Sequence, residues 1–145
     1  MLKKIAEYSF RSSSIKHLII PEGVTHIGIY AFSTCVEIET VKLPSTLKYI
    51  GAYAFNAIGG RWSDCTYPTI VIPTGVEYIG ENNFSSPCTL IFEATTPAAE
   101  IVGNFDYAVG QYFAKIYVPD DSVEAYKTAF KRDDIFAVST LNQED

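Results

Sequence analysis

Long hydrophobic runs are missing from this sequence: nothing in it approaches the ~18 consecutive apolar residues of a membrane-spanning helix. The opening MLKKIAEYSF passes from Lys to Glu and Tyr without the apolar core of a signal peptide, so neither export on its own signal nor membrane insertion is expected. Cysteine is scarce as well. Cys35, Cys65 and Cys88 lie 30 and 23 residues apart, which supplies neither a CxxC ligand pair nor an even set for disulfide pairing; small buried hydrophobes are the simpler expectation. Basic residues number 11 against 17 acidic ones, for a formal net charge of −6, and they are scattered. Without a Lys and Arg cluster to neutralise phosphates, nucleic acid is excluded as a partner.

The constellations that carry chemistry are missing too. The two histidines, His17 and His26, sit in no HExxH or Cys-spaced zinc pattern. GVTHIG reads as a turn and a corner, since no GxGxxG, GxxxxGK[ST] or GxSxG occurs to cradle a phosphate or raise a nucleophile. Carboxylates such as Glu37, Glu39, Asp120, Asp121, Asp133 and Asp134 are explained by a solvated face. No catalytic residue, metal ligand or cofactor site is therefore expected, and the protein is not expected to be an enzyme.

What is present is repetition. The phrase recurs as IIPEGVTHIGIYAF at 19 to 32, KLPSTLKYIGAYAF at 42 to 55 and VIPTGVEYIGENNF at 71 to 84. Its prolines, Pro21, Pro44 and Pro73, are 23 and 29 residues apart, so the period is 23 with a six-residue insertion, a spacing that belongs to solenoids. Half-units stand at both ends, IAEYSF from Ile5 to Phe10 and TLIF at 89 to 92.

Within a unit, HLII, TVKL, TIVI and TLIF alternate and favour β-branched residues, as strands do. Proline ends the strand because it cannot donate a ladder hydrogen bond. A turn, a second short extended run and a corner at Gly28, Gly51 or Gly80 follow, and then Phe32, Phe55 or Phe84 turns inward. Stacked units place Leu18, Ile20, Val41, Leu43, Ile70, Ile72, Leu90 and Phe92 inside. Val24, Leu47, Val76, Ile27, Ile50 and Ile79 join them.

IPEGVTHIGIYAFSTC at 20 to 35 carries the phrase IPxGVxxIGxYAFxxC in full, and with it the chain resembles the BspA-like leucine-rich repeat. The second unit has Ile58 in place of the Cys, and the third has Asn82-Asn83 in place of Tyr-Ala, departures that bear on local turn geometry. The resemblance implies a mainly β solenoid of short parallel strands. TTPAAEIVGNF at 95 to 105 and AKIYVPDDSVEAYKTAF at 114 to 130 resemble the usual end of such arrays, a last strand and a short helix. One domain, 1-145, is expected, with repeats over about 5-95 and a cap over about 96-140. Asp120, Asp121 or Ser122 would cap a helix with Val123, Tyr126, Ala129 and Phe130 on one face. The N-terminal side is less sealed: its half-unit either is the cap or docks on another chain.

Alternation sends the other strand residues outward. One such row is Ile19, Lys42, Val71, Ile91 and Tyr117, flanked by His17, Thr40, Thr69, Thr89 and Lys115. Four of the five central residues are apolar, which marks a contact surface unless β propensity alone explains them or the C-terminal segment covers part of the row. The insertion NAIGGRWSDCTYP at 56 to 68 carries Arg61 and Trp62, types that dominate interface energetics, on a loop that either presents Trp62 or folds it back. His26, Tyr49 and Tyr78 form a third row, to pack locally or to stack on a sugar.

The first reading is protein-protein recognition or assembly, with a protein partner or host-surface receptor. The resemblance adds surface adhesion or a virion role such as a tail or capsid accessory, by assembly with other virion proteins or as a homo-oligomer. The runner-up is a carbohydrate-binding module using the Tyr and Trp faces. Location follows the same division: virion or cytoplasm for a full-length protein, cell surface or secreted for part of an exported one.

Overall fold

Each recurring phrase closes one turn of a coil in the computed structural model of the chain, which describes residues 3–59, 68–84, 87–108 and 114–143. The corner-bound runs form a four-stranded parallel sheet in spatial order β1 (Lys3–Ile5), β3 (Val24–Ile27), β5 (Tyr49–Ile50), β7 (Tyr78–Ile79). The runs before proline form a six-stranded parallel sheet. Its strands are β2 (His17–Ile19), β4 (Thr40–Lys42), β6 (Thr69–Ile72) and β8 (Cys88–Phe92), with β9 (Ala114–Val118) and β10 (Ile135–Ala137) continuing past β8. Neighbours in sequence phase are neighbours in space: Leu18 pairs with Val41, Val41 with Ile70, Ile70 with Leu90 and Leu90 with Ile116. The six-residue insertion leaves this register intact.

The aliphatic and Phe positions expected inside are all buried. Phe10, Phe32, Phe55 and Phe84 stack almost parallel with centroids 5.4, 5.6 and 6.2 Å apart, one ring per coil. Ile58 takes the buried place of Cys35, so that departure preserves an apolar core. Between the sheets the backbone climbs by repeated bonds from one coil to the next. Tyr8 N–H reaches Ile29 C=O and Tyr30 N–H reaches Ala52 C=O, while Gly28, Gly51 and Gly80 N–H reach back to Ile5, Ile27 and Ile50 C=O. Tyr8, Tyr30, Tyr53 and Asn82 all hold φ between 55° and 61°, a left-handed turn residue that Asn adopts more readily than Tyr.

The third coil therefore keeps the turn, and its departure serves another purpose. Asn83 is buried; its Oδ1 accepts Phe55 N–H at 2.9 Å and its Nδ2 donates to the Gly51 and Gly80 carbonyls. In the preceding coils that Phe N–H goes to a backbone carbonyl, of Ala31 or Ala54. The side-chain amide thus finishes a ladder that ends here.

The C-terminal part holds two helices where one was expected. Helix α1 (Ala99–Ala108) buries Ile101 and Phe105, four residues apart on one face, against the end of the four-stranded sheet. Its Asn104 Nδ2 donates to the Ile79 carbonyl at 2.6 Å, the place a next coil's glycine N–H would take. Helix α2 (Val123–Phe130) buries Tyr126 and Phe130, and Phe130 stacks on Phe105 at 3.8 Å. Ser122 is the N-cap residue but makes no side-chain capping bond, and Asp120 instead accepts the Ser139 N–H at 3.0 Å. Among the described residues no helix is long and apolar enough to cross a membrane.

Candidate interaction surface

The outward row of the six-stranded sheet is built by period-2 alternation, since Leu18, Val41, Ile70 and Leu90 point into the core and their neighbours must point away. Ile19 is 69% exposed, Lys42 is exposed, Val71 is 36% exposed and Ile91 is half-buried. Register brings Ile19 beside Lys42 and Val71 beside Ile91. Beside them run Thr40, Thr69 and Thr89; His17 Nδ1 lies 2.9 Å from Thr40 Oγ1, and its Nε2 lies 3.8 Å from Glu39. A recess of about 330 Å³ opens beside Lys42 and Val71, walled by Glu22, Ser45, Pro73 and Glu93. The Ser45 N–H and hydroxyl bind the Glu22 carboxylate and hold its pKa below the ordinary value, with Lys42 adding to the effect.

Tyr117 corrects the sequence reading. It stands in register with Ile91, as expected, but is fully buried. The strand added beyond it, β10, lays Phe136 against its ring at 5.7 Å, and the closing turn Val138–Gln143 contacts β9. The tail thus covers Tyr117, sets the exposed Phe136 in register beside it, and leaves Ile19, Lys42, Val71 and Ile91 open on the earlier strands. Arg61 and Trp62 lie outside the described residues.

The aromatic rows have a different geometry. His26, Tyr49 and Tyr78 stack on one another at 5.5 and 4.7 Å, and Tyr8, Tyr30 and Tyr53 at 5.0 and 4.7 Å. The Arg11 guanidinium sits over Tyr8 and Tyr30. Within a column each ring covers its neighbour's face, so the interior members offer edges and hydroxyls. This second tyrosine column was not singled out in the sequence, although Tyr8, Tyr30 and Tyr53, each two residues before a Phe of the ring column, carry it.

Among the described residues no three His, Cys, Asp or Glu side chains gather where they could hold a metal ion. Cys35 and Cys88 are both buried, and Cys65 lies outside the described residues. Burial pushes the Cys88 thiol up to about 12. At pH 8 its thiolate fraction is then of order 10⁻⁴, so iodoacetamide on the folded protein should leave Cys88 unmodified in mass spectra and alkylate it in denaturant. Rapid modification in the native state would contradict this burial.

A family model described as a BspA type leucine rich repeat region matches residues 3–134 in six copies. No curated protein matches the sequence significantly.

Proposed function

Because the chain belongs to the BspA-type leucine-rich repeat family, we propose that it is a non-catalytic recognition module that engages a protein through the outer face of its six-stranded sheet. The observation that carries this reading is the in-register exposure of Ile19, Val71 and Ile91 around Lys42. A sheet face meant only for water is normally polar. Each aliphatic side chain covered by a partner would contribute about 1.5–3 kcal/mol of gross hydrophobic free energy before the cost of association. Arg61 and Trp62 are proposed as further contacts on residue type alone. The biological setting follows as surface adhesion or as an accessory part of a virion tail or capsid.

Changing Ile19 and Ile91 together to Asp should abolish capture of surface-protein partners, and any self-association seen by light scattering. The thermal midpoint should stay within about 5 °C, because surface substitutions away from special features cost little. A collapse in stability would place these residues in the core and defeat the reading. The carbohydrate alternative fits less well, because ring faces inside both columns are already covered by other rings. A glycan screen that finds ligands, with binding lost in Trp62→Ala, would restore it.

A further inference from the structure

The recess beside Lys42 and Val71 lies within the array and touches neither end of it. Its walls come from four successive coils: Glu22 from the first, Lys42 and Ser45 from the second, Val71 and Pro73 from the third, and Glu93 from the fourth. The buried side chains of Val41 and Leu43 add to its apolar lining.

The charges gathered there stand at positions where other coils have none. Along the outward row, Lys42 takes the place of Ile19, Val71 and Ile91. Glu93 takes the place of Pro21, Pro44 and Pro73, and Glu22 that of Ser45 and Thr74. Glu22 has work inside the array: its Oε1 accepts the Ser45 N–H at 2.9 Å and its Oε2 the Ser45 hydroxyl at 2.8 Å, while Lys42 acts on it electrostatically. Glu93 has a role only through its backbone. Its N–H donates to the Ile72 carbonyl at 3.1 Å, a bond that any residue except proline can make. Its exposed carboxylate has no hydrogen-bond or ion-pair partner among the described residues.

The charge balance narrows the occupant. With Lys42 set against Glu22, the recess keeps one uncompensated negative charge, on Glu93. An anion entering it would meet two carboxylates against one ammonium. A wholly apolar side chain would strip water from Glu93 and put nothing in its place. Arginine meets both demands, because its methylene stem packs along apolar surface and its planar fork donates two parallel N–H bonds to a carboxylate.

We propose that the recess receives an arginine side chain of the protein partner, with its guanidinium on the Glu93 carboxylate and its stem against Val71 and Pro73. The inference rests on the outer sheet face being the protein-binding surface, and adds what that surface selects.

The test titrates the isotope-labelled whole chain with acetyl-Val-Thr-Arg-Thr-Val-amide, an extended peptide with Val, Arg and Val on one face, and with its Gln and Glu analogues in place of Arg. Binding is followed at the amides of Glu93 and of Ser45, the latter bonded to the Glu22 carboxylate. The Arg peptide should bind at least about threefold more tightly than the Gln peptide, as expected of a charge-assisted pair at a surface. Glu93→Gln, at an exposed position, should erase that preference. Lys42→Gln, which removes the opposing charge, should enlarge it, and added salt should shrink it. A preference for the Glu peptide, an Arg preference that survives in Glu93→Gln, or no binding by any of the three overturns the proposal. So does an Arg61→Gln chain whose Ser45 amide moves without peptide, since the chain's own insertion would then fill the recess. Equal binding of the Arg and Gln peptides that is lost in Ile91→Asp overturns the arginine alone and leaves the outer face standing. Partner capture undiminished by Ile19→Asp with Ile91→Asp defeats the outer face, and the arginine with it.

Discussion

Gly51→Ala should cost at least about 3 kcal/mol and lower the thermal midpoint by roughly 10 °C, although it adds a single methyl group. A Cβ at Gly51 would stand 2.8 Å from Ile29 N and 2.9 Å from both Gly28 C and Ile27 O. All three are backbone atoms, and no side-chain rotation can move them away. Relief requires two coils to part where Gly51 N–H donates to Ile27 C=O at 2.8 Å, and where Ile27 and Ile50 pair across the sheet. Gly103→Ala is the control. It lies on α1 with nothing within 4 Å of the methyl that the substitution adds, so it should stabilise the protein by up to about 1 kcal/mol through helix propensity. Thermal melts of the two variants should move in opposite directions; a Gly51→Ala protein as stable as the parent would mean the coils are not packed this closely.

The glycine corner was legible in the sequence because it recurs: Ile27-Gly28, Ile50-Gly51 and Ile79-Gly80 sit at one phase of one phrase. Repetition likewise exposed the inward and outward sets, since a residue that alternates in one strand must match its neighbours in the next. What lacks repetition was harder to see. Asn83 replaces an alanine only once, and its letter does not say that its amide will stand in for the carbonyl of Ala31 or Ala54. Among its described side chains helix α1 buries Ile101 and Phe105 around an interior glycine, too thin a pattern to separate helix from loop. Tyr117 has the right phase for exposure, and its burial depends on how the tail beyond α2 folds back, a non-local event that no local periodicity reports.

The same contrast between ends and middle governs the outer row. Toward the C-terminus β10 covers Tyr117 and adds Phe136, itself as exposed as Val71; toward the N-terminus the row runs out at Ile19, the most exposed large hydrophobic side chain among the described residues. Exposed apolar side chains thus stand at both ends of the row, Ile19 at one and Phe136 at the other. On the reading proposed above, partner contact at the Ile19 end would leave the helical cap free to hold the array closed.

Phe55→Ala should cost about 3–5 kcal/mol, the range for deleting a buried aromatic from a core that cannot collapse around the gap. Phe55 is fully buried between Phe32 and Phe84, and its own N–H is tied to Asn83. Neighbouring rings cannot close the void, because each is fixed by its own coil at the ladder spacing. Phe55→Leu, which keeps most of the volume, should cost less than about 1.5 kcal/mol. Phe10→Ala should be milder than Phe55→Ala, since that ring is already partly in water. Because a solenoid is held by contacts between neighbouring coils, loss in the middle also weakens the coupling of the two halves. Urea unfolding of Phe55→Ala should therefore show a lower midpoint with a broader transition, while Phe10→Ala keeps the parent's slope. Equal losses at the two sites would mean that the ring column is not a continuous core.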